Sequence, residues 1–163
     1  SHFTHQSSAE IIQLSIDDMI QELEPNLWEK NLKRCVDFGH SFSPLLEMNS
    51  ITDDSVASLT HGQAVALDVL FSCCISVNRG MMSLANLTRA FQVCSSYKLP
   101  IHHPYFSDKI MLWESLVDTT RHRNGNQNLP LPTEIGSYEF LQDITLSDLE
   151  HGIKIHEKAV SDG

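Results

Sequence analysis

Apolar residues along this chain recur mostly at helical spacing. From Ser8 to Glu24 the positions Ile11, Ile12, Leu14, Ile16, Met19, Ile20 and Leu23 mark the stripe of one amphipathic helix, which Pro25 must end. "PNLWEKNLKR" follows as a turn with a short helical segment. Ser43 and Pro44 read as an N-cap and a first-turn proline, which predicts a helix to about Met48. Residues 49–59 are polar and turn-like. In "THGQAVALDVLFSCCISVNRG", Thr60 and Gln63 form a capping-box pair, Gly80 is a stop, and nearly every position between is apolar or small. That predicts a helix buried on most sides.

The rest of the chain continues in the same period. A helix runs from about Ser83 to Tyr97, "IHHPYF" is a loop, and Ser107 caps a helix through "DKIMLWESLVDTT" whose Met111, Leu112, Trp113 and Leu116 are core candidates. "RHRNGNQ" is a polar turn. Two prolines and a glycine between short apolar runs in "NLPLPTEIGSYEFL" predict a small hairpin, and "TLSDLEHGIKIHEKAV" predicts a closing helix. The fold class expected is mainly α, one helical domain over 1–163 with at most a small β-hairpin.

Composition narrows what such a domain binds. Acidic residues outnumber basic ones 21 to 11, for a formal charge of -10. Such a balance disfavours a nucleic-acid or membrane-surface partner, since both select for Lys and Arg. Cys35, Cys73, Cys74 and Cys94 show no CxxC spacing, and three lie in apolar helical patterns, so thiol ligation of zinc is not expected and a reduced, cytoplasmic setting is. The longest apolar run is broken by Asp68, and neither a signal peptide nor a spanning helix is predicted.

The chemistry concentrates in three stretches. His40 follows Phe38-Gly39 just before a helix start, and His61 opens the buried helix beside Gly62. A helix N-terminus disfavours an imidazolium, and a neutral imidazole is what a divalent metal needs. The two histidines could converge on one ion, or could be ordinary capped histidines; a spacing of 21 residues is no local metal motif. Asp68, two turns on, must find a partner: a salt bridge, a backbone cap, or a ligand histidine to orient. Asp37 could meet a substrate hydroxyl or cap its loop. Arg121, His122 and Arg123, with Asn124 and Asn126, either serve the end of their helix or make a compact anion site suited to a sugar phosphate. His102 and His103 read as structural.

Taken in order, "VDFGHSFSP", "HGQAVALD", "LP..HP" and "DTTRHRNGNQNLPLPTEIG" resemble the C-terminal helical domain of the sugar phosphate cyclases, the superfamily of 3-dehydroquinate synthase. Within it the chain is most similar to the sedoheptulose 7-phosphate cyclases of the 2-epi-5-epi-valiolone synthase type. The resemblance implies that His40 and His61 are ligands of Zn2+ or Co2+, that Asp37 and His40 are catalytic, and that Asp37, Lys33, Arg34, Arg121, His122 and Arg123 are substrate-binding. It implies NAD, a homodimer, and a reaction in which a ring hydroxyl is oxidised, phosphate is eliminated, the hydride returns and the ring closes by an aldol step. Zinc would act as a Lewis acid.

Departures from the family pattern discriminate within it. Dehydroquinate synthases have an asparagine where Asp37 stands, a phosphate-contacting histidine where Pro44 stands, and a lysine where Met19 stands; Gln63 replaces the commoner glutamate. The losses at Pro44 and Met19 suit a substrate without the carboxylate of the dehydroquinate precursor. The family's nucleotide-binding domain, with the glutamate that is the third metal ligand, has no counterpart here. Glu10 lies too close to His40 to be that glutamate and reads as a surface or capping residue. The chain thus reads as one part of a cyclase, inactive without an N-terminal NAD-binding half. The alternatives are a dehydroquinate synthase, a desmethyl-4-deoxygadusol synthase and, from another class, a catalytically silent helical interaction module.

Overall fold

The structure is a computed structural model that describes residues 5–28 and 30–162. The chain forms two compact units that join in sequence between Val36 and Asp37. In the first, helix α1 spans His5–Leu23 and a 3-10 turn over Glu24–Asn26 replaces the last predicted helical residue. Pro25 sits inside that turn, where its missing N–H costs nothing. The expected short helical segment reduces to this one turn, which is stapled by Asn26: its Nδ2 donates to the Asn31 carbonyl at 2.6 Å and its Oδ1 accepts from the Asn31 N–H at 3.0 Å. Residues 30–34, with Lys33 and Arg34, carry no regular structure.

The second unit is built around one helix. Helices α2 (Ser43–Thr52), α3 (His61–Asn78), α4 (Leu84–Ser96), α5 (Lys109–His122) and α6 (Leu146–Ser161) are joined by a hairpin of β1 (Leu129–Glu134) and β2 (Ser137–Leu141) between α5 and α6. α3 packs against α2, α4, α6 and β1. Its small and apolar residues on every side make this possible: Ala64, Leu67, Leu70, Phe71, Cys74 and Ile75 are all fully buried. Each large side chain among them contributes roughly 1.5–3 kcal/mol over an exposed one. Gly152 lets α6 approach α3 closely, since a Cβ there would lie 3.3 Å from Phe71 and from Ile75. Burial raises the Cys73 thiol to about 12 and raises Cys74 as well, so these cysteines act as small apolar residues.

The remaining elements follow local signals, with shifts of a residue or a turn. Thr60 and Gln63 make the expected capping box of α3: the Thr60 N–H donates to Gln63 Oε1 at 2.9 Å. α4 starts where expected, with Ser83 as its cap accepting from the Asn86 N–H. At α5 the cap is Asp108, whose carboxylate accepts from Ile110 and Met111, because Ser107 is already used in the 3-10 turn Pro104–Ser107. That turn also gives structure to the predicted loop. Leu112 and Leu116 are buried, with Met111 and Trp113 packed against the same core. The hairpin is antiparallel, pairs Leu129 with Leu141, and turns at Gly136 with φ +85°. Its Leu129 and Leu131 enter the core. α2 runs to Thr52 rather than Met48, and its N-cap is Phe42 rather than Ser43. The reason lies in the site.

Candidate metal centre

His40 and His61 meet. Their ring centroids lie 5.3 Å apart with an interplanar angle of 52°, both within the second unit. Gly39 is what allows it. Its φ is +80°, a conformation that side chains oppose, and a Cβ there would stand 2.9 Å from Val65 Cγ1 and 3.0 Å from Val69 Cγ2. The His40 turn therefore rests on α3 one turn beyond His61. Gly62 has no such role, because a Cβ on it would meet nothing within 4 Å.

Asp68 holds this turn in place. One of its carboxylate oxygens, Oδ2, accepts from the backbone N–H groups of Ser41 at 2.9 Å, Phe42 at 2.6 Å and Ser43 at 2.8 Å. They belong to the two residues before α2 and to its first residue, ahead of the N2 and N3 groups that a side chain at the N-cap reaches. Asp68 binds them from across the core, and the Ser43 hydroxyl donates to the Gly39 carbonyl at 2.6 Å. Of the readings open for Asp68, the backbone cap is the one observed. Burial raises its carboxyl above the usual range, and the N–H groups with the Ser72 hydroxyl oppose the shift. Because Asp68 and His61 share α3, this clamp also sets how far His40 stands from His61.

Each imidazole has its Nδ1 turned to an oxygen. His61 Nδ1 lies 2.9 Å from Glu47 Oε2 on α2, and His40 Nδ1 lies a long 3.4 Å from the Phe38 carbonyl. Carboxylates and carbonyls only accept, so the proton belongs on Nδ1 and the lone pair on Nε2. Two imidazoles with their Nδ1 atoms engaged in this way offer Nε2 as a donor set that suits a borderline divalent cation such as zinc. No cluster of three or more potential ligands occurs among the described residues.

Asp37 and the end of α5 complete the surroundings. Asp37 is buried, and its carboxylate oxygen lies 3.2 Å from Arg123 Nε; the Arg123 Nη1 donates to the Gln127 carbonyl at 2.7 Å. Arg123 is itself only 4% exposed, so its guanidinium is directed inward. The Thr119 hydroxyl donates to the Ser41 carbonyl at 2.8 Å, a second link between α5 and the His40 segment. Arg121 and His122 are exposed on the last turn of α5, 4.0 and 3.8 Å from Asp118. Lys33 and Arg34 belong to the first unit. His103 is structural: its Nε2 lies 2.9 Å from the Ala57 carbonyl, and its Nδ1 accepts from the Tyr105 N–H. Glu10 is exposed on α1. Sequence reading missed Glu47 and Thr119, whose partners are 14 and 78 residues away. No local pattern encodes such pairs.

Comparison with known proteins gives this helical fold its class. The family model of the 3-dehydroquinate synthase C-terminal domain matches residues 1–125, and the chain belongs to that family. It is 41% identical over 140 residues to a 2-epi-5-epi-valiolone synthase of an Actinomyces species, covering 86% of this chain and 35% of the relative. With the 2-epi-5-epi-valiolone synthase of Streptomyces albus it shares 38% identity over 148 residues, 91% of this chain and 35% of the other. Among solved structures it is similar to ValA, the 2-epi-5-epi-valiolone synthase of Streptomyces hygroscopicus subsp. jinggangensis 5008 with NAD+ and Zn2+ bound. The TM-score is 0.86 at 35% identity, over 94% of this chain and 41% of that one. The chain thus spans about a third of the length of the curated relatives it matches. Among the described residues, no helix is long and apolar enough to cross a membrane.

Proposed function

We propose that this chain is the metal- and substrate-binding part of a sugar phosphate cyclase that converts sedoheptulose 7-phosphate to 2-epi-5-epi-valiolone, with elimination of phosphate. The observation that carries the reading is the approach of His40 and His61 to 5.3 Å with both Nδ1 atoms facing oxygens. In this reading the two Nε2 atoms hold Zn2+ and NAD belongs to a preceding nucleotide-binding half. When bound, zinc supplies Lewis acidity at a substrate hydroxyl and at the carbonyl it becomes.

The chain's own residues orient the sugar. Asp37, held by Arg123 at 3.2 Å, presents an acceptor to substrate hydroxyls from a fixed position. Arg121 and His122, exposed on the same turn, serve the phosphate end together with the positive charge of Arg123, and Lys33 and Arg34 are further substrate-binding candidates. Pro44 stands where a dehydroquinate synthase has a phosphate-contacting histidine, which favours the valiolone product over dehydroquinate.

The test is reconstitution. The chain alone forms no cyclitol; with a nucleotide-binding half supplied in trans, sedoheptulose 7-phosphate is cyclised with release of one phosphate per turnover. A His40→Ala, His61→Ala pair abolishes this. Retained turnover in the double variant refutes the reading, and product mass separates valiolone from dehydroquinate or a gadusol precursor.

A further inference from the structure

The contact between Glu47 and His61 does more than satisfy a surface histidine. His61 occupies the first position of α3 and its side chain is 65% exposed, so little packing limits its rotation. Glu47 is only 25% exposed and projects from α2 beside Leu46, which is fully buried. The better anchored residue holds the looser one. α2 also begins three residues after His40, and its N-terminus is clamped to α3 by Asp68. The carboxylate that grips His61 is therefore carried by the helix whose start follows His40.

We propose that Glu47 is the positioning residue of the metal site, fixing His61 as the Nδ1–H tautomer and aiming its Nε2 lone pair at the cation shared with His40. The proposal rests on the metal reading above. Imidazole in water prefers the proton on Nε2, the tautomer whose lone pair sits on Nδ1. A carboxylate at 2.9 Å from Nδ1 reverses that preference, because it can only accept. The same contact makes the ring a stronger donor, as outer-sphere carboxylates do for ligand histidines. Glu47 is not itself a ligand in this arrangement, since it occupies the Nδ1 side of the ring.

Two measurements on the full chain test it. Nitrogen-15 NMR of the metal-free protein at alkaline pH reports the His61 tautomer: Nδ1–H in the wild type, predominantly Nε2–H in Glu47→Ala, and largely Nδ1–H in Glu47→Gln, whose amide oxygen still accepts. Competition with a chelator for added Zn2+ gives an affinity about 10–100-fold weaker in Glu47→Ala, partly recovered in Glu47→Gln, with the melting temperature of the metal-free protein unchanged. A wild-type chain that binds no zinc through His40 and His61 overturns the metal reading and this proposal with it. A wild-type chain that binds zinc, beside a Glu47→Ala variant with equal affinity and the same tautomer, overturns only the role of Glu47.

Discussion

Among the described residues two pairs of histidine rings stand close together, and they are built on opposite principles. His40 and His61 stand 5.3 Å apart, each with a ring nitrogen facing an oxygen. His102 and His156 are nearly as close, 6.1 Å and stacked, but His156 is completely buried between Phe71 and Phe91, and among the described residues neither of its nitrogens has a hydrogen-bond partner. Burial, and then the nearby His102, drive the His156 imidazole down to about 4, against a weaker upward pull from the Ile101 backbone. One pair keeps a ring nitrogen of each imidazole beside an oxygen. In the other, the buried ring fills space and stays neutral. What separates them is the polar atoms around the ring, since residue type and ring distance are almost the same.

Asp68→Ala should break the first pair most severely. It strands three buried N–H groups at about 1–3 kcal/mol each, and we expect a loss of about 4 kcal/mol in urea denaturation, with Asp68→Asn costing roughly half. The second pair is tested by acid. The folded-state value of His156 lies below its unfolded value, so its contribution is complete above about pH 6.5 and is lost as pH falls toward 4, by about 3 kcal/mol. His156→Leu should flatten that part of the stability curve and leave zinc binding intact. Gly39→Ala ranks next, at about 2–3 kcal/mol from backbone strain and the clash with Val65, and it should lower zinc affinity by displacing His40. Smallest for stability is His40→Ala with His61→Ala, less than about 1 kcal/mol by thermal melt, although the pair removes zinc binding altogether. A large stability loss in that double variant would dissolve the contrast, because it would make the first pair structural too.

Much of the fold was legible because its signals are local. The Thr60–Gln63 box, Ser83 and Pro25 act within a turn of their own positions, and the two-residue turn Ile135-Gly136 needs only a residue that accepts φ +85°. The expectation about Ser43 failed for the converse reason. Its local credentials as a cap were sound, but α2 begins at Ser43 itself, its hydroxyl donates to the Gly39 carbonyl, and Asp68, 25 residues on, holds the N–H groups of Ser41, Phe42 and Ser43 from the core. Arg123 shows the same limit, since as a string it is one of three cations after a helix, while in space it faces Asp37 and the carbonyl of Gln127.

By itself, the amino-acid sequence determined which segments are helical, where most of them begin and end, and which two histidines to watch, because period, capping and backbone freedom depend on near neighbours. The tertiary structure alone decided that those imidazoles face one another, that Glu47 grips one of them, and that Asp68 sets the reach of the other. Such distances come from how α2 and α3 pack around a shared core, and packing is a property of residues that are far apart along the chain.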